Sequence, residues 1–276
     1  LDVLPWGIWS ELWRLWPLLL IAVGLDMLFG RRSPLVSVFI VLGVIAAGAA
    51  WIYTGIGMGK VAQYALSVPL EAAKSARVEL EVGSGELKLS SLPQANNILA
   101  MGTLAYNERD SAPEPDVERQ GDNVELGLKM RDRGLLSFST ENLVWDVQLN
   151  RAIPLDLAVD VGSGNSNLNL RDLNADKINL DVGSGGVSLT FPVTAGTTDA
   201  DISVGSGDLT LIFPDTVAAN IEVEVGSGDV SATAAFRREA QSYVVTGAPG
   251  TQHRLTLKLS VDSGDVELRT IGTATP

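Results

Sequence analysis

The sequence contains no cysteine, and its 276 residues include a single histidine, His253. Without thiols the chain forms no disulfides and offers no thiolate ligands to a metal. A single imidazole cannot build a histidine metal centre, and the Gly-x-Ser-x-Gly motif of a nucleophilic serine is absent. The glycine-rich turns open strands and not helices, so they do not match a phosphate-binding loop. We therefore expect no enzyme, no cofactor and no metal site.

Basic residues are also scarce, because 20 lysines and arginines face 33 acidic residues, which gives a net charge of −13. The imbalance belongs to residues 60–276, since the six charges of residues 1–59 cancel. An acidic surface repels a phosphate backbone, so nucleic acid is excluded as the expected partner.

Two long apolar runs lie at the start of the chain, at 15–30 and 34–55. A membrane-spanning helix needs about 20 apolar residues. We predict a transmembrane hairpin in residues 1–59, with spans at about 4–30 and 34–55, and the lipid bilayer as a partner. Aromatic and arginine side chains mark its expected interfaces with water: Trp6, Trp9, Trp13, Trp16, Trp51, Tyr53, Arg31 and Arg32. A buried aromatic stripe in a soluble helical bundle is the alternative interpretation of the tryptophans.

The turn between the two runs contains the paired arginines Arg31 and Arg32. Positive charge favours the cytoplasmic side, so both outer ends of the hairpin are expected on the other side of the membrane. This predicts a multi-pass protein of the cytoplasmic membrane with an extracytoplasmic C-terminal domain. The sequence opens on Leu1 and not on Met, which predicts a preceding segment, with a further span as one interpretation.

Residues 1–34 resemble the LiaI/LiaF-type transmembrane region of bacterial envelope proteins. The resemblance lies in Leu4-Pro5-Trp6, in Leu12-Trp13-Arg14-Leu15-Trp16-Pro17-Leu18-Leu19-Leu20-Ile21, and in Gly24-Leu25-Asp26 ahead of Gly30-Arg31-Arg32. It implies a part in sensing envelope stress.

A Val-Gly-Ser-Gly corner recurs along the rest of the chain, and four successive copies follow each other every 21 or 22 residues. Repeats of this length are typical of stacked structures in which no single unit buries its apolar face alone. Five copies are intact, and a sixth, degenerate copy with Asp in place of the first glycine lies at Val261-Asp262-Ser263-Gly264. The corner glycines are Gly83, Gly85, Gly162, Gly164, Gly183, Gly185, Gly205, Gly207, Gly226 and Gly228.

Apolar and polar residues alternate on both sides of each corner, which is the pattern of half-buried strands. The fold class is therefore all-β, a β-solenoid in residues 76–276, with residues 60–75 as a linker and first strand. Each repeat predicts two strands of four to six residues, with an apolar interior and an acidic exterior. The six corner serines are expected to bond neighbouring backbone through their hydroxyls.

Residues 96–150 depart from the repeat. Alternation predicts strands at 98–106, 124–130 and 143–150, with a hairpin turn at 121–123. Two loops, at 107–116 and 131–141, are the expected places for a recognition site, although tolerated insertion is the commoner reason for such loops.

The alternation from Ile153-Pro154-Leu155-Asp156-Leu157 into the run of corners resembles the Toastrack (putative adhesin) family of bacterial proteins, over about residues 76–270. The resemblance implies a stacked β architecture displayed from the cell envelope. Calcium-binding β-roll repeats are an alternative for the acidic corners, but their period is about nine residues.

We expect a membrane-anchored envelope protein whose β-solenoid serves in binding, adhesion or scaffold assembly without catalysis. A solenoid exposes unpaired edges at its ends, which predicts a homo-oligomer or pairing with another envelope protein. The alternative is a LiaF-like regulator of a two-component sensor kinase, acting through the helices.

Overall fold

The computed structural model describes residues 43, 60–94, 97–108, 111–129, 143–194, 196–240, 242–247, 251 and 253–272. The chain divides into two compact units, 1–59 and 60–276, and Gly43 is the one described residue of the first. Within the described residues, no helix is long and apolar enough to cross a membrane. Apart from Gly43, both predicted spans lie outside those residues, as do all eight predicted membrane-interface residues.

The described part of residues 60–276 is all β, as the alternating pattern predicts. Its strands are β1 (Val61–Pro69), β2 (Ser75–Ser84), β3 (Glu86–Ser91), β4 (Ile98–Asn107), β5 (Asp116–Gln120), β6 (Asn123–Lys129), β7 (Val144–Leu149), β8 (Leu155–Ser163), β9 (Ser166–Asn169), β10 (Ala175–Ser184), β11 (Val187–Thr190), β12 (Thr197–Ser206), β13 (Leu209–Pro214), β14 (Val217–Ser227), β15 (Val230–Ala232), β16 (Arg237–Glu239), β17 (Ser242–Val245), β18 (His253–Ser263) and β19 (Val266–Ile271).

Each repeat forms one rung of two parallel-rich sheets. A long strand enters the corner in the ten-stranded sheet, and a shorter strand leaves it in the nine-stranded sheet. The entering strands have nine to eleven residues, so the expected length of four to six was wrong for them. They are longer because each one continues to the serine of its corner and pairs along nearly its whole length with at least one adjacent rung.

The rungs do not follow chain order. The nine-stranded sheet runs β1-β4-β7-β3-β9-β11-β13-β19-β15, and the ten-stranded sheet runs β16-β17-β14-β18-β12-β10-β8-β2-β6-β5. The last repeat, β18 with β19, therefore lies between the rung of β12 and β13 and the rung of β14 and β15. After β14 and β15, which form the last rung, the chain forms the β16–β17 hairpin. It then returns as β18, which pairs between β12 and β14.

Antiparallel strands flank both ends of the stack, although at the late end they cover only the first half of β14. At the end formed early in the chain, β1 pairs with β4 and β5 pairs with β6. Leu66 and Val68 of β1 are buried in the common core, so residues 60–75 are part of the β unit. Strands β5, β16 and β17 were not predicted, because two of them are short and largely exposed and none shows a clean alternation.

The core consists of apolar columns that run from rung to rung. One column runs through Leu80, Val159, Leu180, Ile202 and Leu259, all at most 5% exposed. Burying such a side chain contributes about 1.5–3 kcal/mol, so stability accumulates with each rung. In the irregular segment Trp145 is fully buried, and its indole N–H donates to the carbonyl oxygen of Ala105 at 3.0 Å.

Candidate functional site

The ten predicted corner glycines lie where each rung passes from one sheet to the other. The second glycine of each corner has a positive φ, as at Gly185 with +123°. A Cβ added there would collide with the carbonyl oxygen of Gly164 on the adjacent rung. Only glycine allows the backbones to approach this closely. The corners therefore form a column held by main chain alone.

The corner serines act through their main chain. The amide N–H of Gly185 donates to the carbonyl oxygen of Ser206 at 3.1 Å, and that of Gly207 donates to the carbonyl oxygen of Ser263 at 3.0 Å. The six serine side chains are exposed. The prediction that their hydroxyls hold the corners was wrong, because the parallel ladder already supplies a carbonyl acceptor at each rung.

At three of the six corners the residue after the corner adds a side-chain link between rungs. Asn165 Oδ1 accepts from the amide of Gly186 at 3.1 Å, Asp208 Oδ1 from the amide of Asp265 at 3.3 Å, and Asp265 Oδ1 from the amide of Asp229 at 3.0 Å. Within the described ranges, no group of three or more His, Asp or Glu side chains could hold a metal ion. These side chains thus link rungs.

The outer side of the ten-stranded sheet carries rows of carboxylates, and we call it the acidic face. It is formed by outward residues of β2, β6, β8, β10 and β12. In one row Glu81, Asp160 and Asp181 stand on three adjacent strands in register. The acidic residues of the whole acidic face include Glu79, Glu81, Glu125, Asp156, Asp160, Asp181, Asp199 and Asp201.

Like charges in register alter the titration of the middle carboxyl. Partial burial, Asp181 and Glu81, in that order, raise the pKa of Asp160 above its ordinary value. Two rows away, Arg77 relieves the crowding by contacting Glu79 at 2.9 Å, Asp156 at 3.3 Å and Glu125 at 3.8 Å. Lys129 Nζ contacts Glu81 at 3.3 Å, so the acidic face is partly neutralised at both Arg77 and Lys129, while Asp160 keeps a carboxylate on either side.

Two adjoining depressions of about 440 and 400 Å³ lie on the acidic face and share Glu79 and Lys129. Ser111, Ala112 and Glu114, from the first of the two loops proposed for recognition, line the larger one. In the smaller one, the short side chain of Ala158 opens space between its longer neighbours. The second proposed loop, 131–141, lies outside the described residues.

His253 is buried and structural. The hydroxyl of Thr198 donates to the carbonyl oxygen of Ala175 at 2.6 Å, so the Nε2–H of His253 donates to that hydroxyl oxygen at 3.2 Å. Burial lowers the pKa of His253, against smaller opposing effects of the Thr194 backbone and Asp176. The ring is thus held neutral inside the stack.

The sequence predicts the corners and an acidic exterior, but the face that carries the rows of carboxylates was not predicted. Aligning the repeats on their corner glycines places Glu81, Asp160 and Asp181 at equivalent positions. Because β2, β8 and β10 stack in the order of their repeats, that alignment gives this row.

The fold is shared with a solved structure. A "putative cell adhesion protein" from Clostridium sporogenes matches with a TM-score of 0.67 and 20% identity, over 77% of this chain and 100% of that chain. A "putative adhesin" from Bacteroides fragilis matches with a TM-score of 0.28 and 12% identity, over 78% and 99% of the two chains. No curated protein matches the sequence.

A family model also matches, described as the N-terminal domain of toast_rack, DUF2154, over residues 57–212. The match covers more than half of the chain, and it includes the strands of the acidic face and four of the corners. This chain therefore belongs to the toast_rack family.

Proposed function

We propose that this protein is a membrane-anchored component of the bacterial cell envelope whose β-solenoid serves in binding, adhesion or scaffold assembly without catalysis. Residues 1–59 would form the LiaI/LiaF-like anchor, with spans at about 4–30 and 34–55. Residues 60–276 would lie outside the cytoplasm and assemble with a second copy or with another envelope protein.

The observation that carries the proposal is the arrangement of polar groups on the stack. Catalytic sites gather groups with shifted pKa values in a cleft. Here the carboxylates stand in regular rows on the open acidic face, and the lone histidine is buried in the core. A rigid frame with an ordered charged surface is suited to holding a partner.

The location can be tested with single cysteines, because the chain has none of its own. Ser203→Cys lies on the acidic face, and Ser33→Cys lies in the predicted cytoplasmic turn. The proposal predicts that a membrane-impermeant maleimide labels Ser203→Cys in intact spheroplasts, while it labels Ser33→Cys only after lysis. Equal labelling of both, or labelling of Ser33→Cys alone, would contradict the proposed topology.

The alternative, a LiaF-like regulator of a two-component sensor kinase, is suggested by the resemblance of residues 1–34. Replacing residues 1–59 by an unrelated anchor separates the two proposals. If envelope-stress signalling is unchanged, regulation through the helices is excluded. If signalling is lost while residues 60–276 remain folded on the same side, the regulator is favoured.

A further inference from the structure

The core columns are open at the last rung. Val223 and Val225 of β14 continue columns whose members on the adjacent rung, Leu259 and Val261, are at most 2% exposed. Both valines are only half-buried, and so is Val230 of β15. Apolar side chains that are buried on every inner rung therefore face a space at this end.

The β16–β17 hairpin covers only the first half of this rung. Strand β17 pairs with β14 from Ala219 to Glu222 and no further. Among the described residues, Val223–Ser227 pairs on one side only, with β18, and β15 pairs only with β19. A space of about 660 Å³ remains, with Val223, Val225, Val230, Asp229, Arg238 and Tyr243 in its lining.

The half of β14 that β17 leaves unpaired, Val223–Ser227, lacks the usual protection of an edge strand. Natural edges are blunted by charge, proline or short length. Strand β5, at the other end of the same sheet, has three charges in five residues, and β16 is a charged strand of three residues. Val223–Ser227 contains one charge, on Glu224, and no proline. Such an edge accepts an added strand through its main chain.

The charges at the edge favour a second copy in one orientation. Parallel addition in register, as between inner rungs, would set Glu224 against Glu224 of the added chain. Antiparallel pairing centred on Val225 sets Glu224 against Gly226 instead, so that no like charges are directly opposed. The lining of this space contains Arg238 as well as Glu224 and Asp229, so both signs of charge are present for an interface across a two-fold axis, where one surface must complement itself.

We propose that two copies of this chain join through Val223–Ser227, antiparallel, with Val225 nearest the two-fold axis. Val225 of each copy would then continue the open column of the other, and Val223 would lie opposite Ser227. The inference gives a surface to the homo-oligomer of the proposed function and rests on it.

Cysteine cross-linking of the full chain in its membrane tests this directly. Residues directly opposite in an antiparallel pair lie within disulfide reach. Val225→Cys should give a covalent dimer under mild oxidation, at a yield about tenfold above that of Gln120→Cys. Gln120 is the matched control, since it lies exposed on β5, the edge strand at the opposite end of the sheet. Equal yields, or no dimer from Val225→Cys, would overturn the proposal.

A second variant tests the edge without a cross-link. Val223→Lys adds a charge of the kind that protects edge strands, and it should convert the detergent-solubilised dimer to a monomer with unchanged circular dichroism. If the wild-type chain is already monomeric, or the variant remains dimeric, this surface is not the interface. A different protein cross-linked to Val225→Cys would also overturn the proposal. The maleimide experiment on Ser203→Cys reads out topology independently, so either hypothesis can fail alone.

Discussion

The corner column and the acidic face belong to the same rungs but contact their neighbours differently. At the corners the rungs meet through main chain, and the carbonyl oxygen of one glycine occupies the space where a Cβ of the next would lie. On the acidic face the strands also pair through their main chain, but their outward side chains meet as well, and carboxylates such as Glu81, Asp160 and Asp181 repel one another.

The difference shows which part of the molecule fixes its architecture. The corners set the spacing of the rungs and accept no side chain, whereas the acidic face tolerates unfavourable contacts because its groups are largely solvated. The corners thus hold the frame, and the face is free to carry charge for recognition.

The largest expected loss of stability comes from adding a side chain at a corner, and an ordinary turn provides the comparison. Gly185→Ala should destabilise the fold by about 3–5 kcal/mol, because the new Cβ meets the adjacent rung at a φ suited only to glycine. Gly121→Ala is the control: Gly121 also has a positive φ, but nothing lies within 4 Å of its added Cβ. Its cost should be about 1 kcal/mol. Similar midpoints of denaturant unfolding for the two variants would refute the role of the corner.

Protonation of buried His253 should lower the free energy of unfolding in acid, unlike protonation of the carboxylates on the acidic face. The pKa of His253 in the folded state lies below the ordinary histidine value of 6.5, so the neutral ring contributes its full stability above pH 6.5. That contribution falls with pH toward the folded pKa, by at most about 1.4 kcal/mol per pH unit. Unfolding measured across this range should show the loss in the wild type and not in His253→Gln. The same slope in both would assign it to other groups.

Removing a buried hydroxyl should give a smaller change in stability, and this change should be a gain. Ser166 is 4% exposed, stands in the column of Leu87 and Val187, and its hydroxyl has no hydrogen-bond partner among the described residues. Ser166→Ala should stabilise the protein by about 1 kcal/mol, because an unpaired polar group leaves the core. Ser203→Ala, on the acidic face, should change thermal stability by less than about 0.5 kcal/mol. Destabilisation by Ser166→Ala would show that the hydroxyl is paired.

The smallest effect concerns the acidic face itself. Because the pKa of Asp160 is raised in the folded state, its ionisation costs stability as pH rises through that pKa. Asp160→Asn should therefore stabilise the protein slightly at neutral pH, by less than about 0.5 kcal/mol after solvent screening. The gain should vanish below the ordinary aspartate pKa. A gain that persists in acid would point to packing and not to charge.

Much of the fold could be predicted from the pattern of residues. Alternation located the strands around Val204 and Leu209, and the recurring glycines located the corners, because both signals are local. The strands at 98–106, 124–130 and 143–150 agree with β4, β6 and β7 within two residues at each end.

The order of the rungs could not be predicted. Every entering strand presents similar apolar residues at the same spacing, so β14 could pair with β12 or with β18 equally well by pattern alone. The spacing of 36 residues from Gly226 to Asp262 leaves room for β15, β16 and β17 but does not show that the chain turns back. The open edge depends on this order, so it could not be located from the sequence, whereas β2, β8, β10 and β12 of the acidic face stack in the order of their repeats.

The position of the last repeat is the central claim, because it makes β14 the terminal rung. Ser203 and Ser260 are partners on adjacent strands, and Ser260 separates Ser203 from Glu224. In the cysteine-free chain, the double variant Ser203→Cys/Ser260→Cys should form an intramolecular disulfide, identified by peptide mass mapping. The account predicts no such bond in Ser203→Cys/Glu224→Cys. A disulfide in that second variant, and none in the first, would show that the rungs follow chain order and would contradict it.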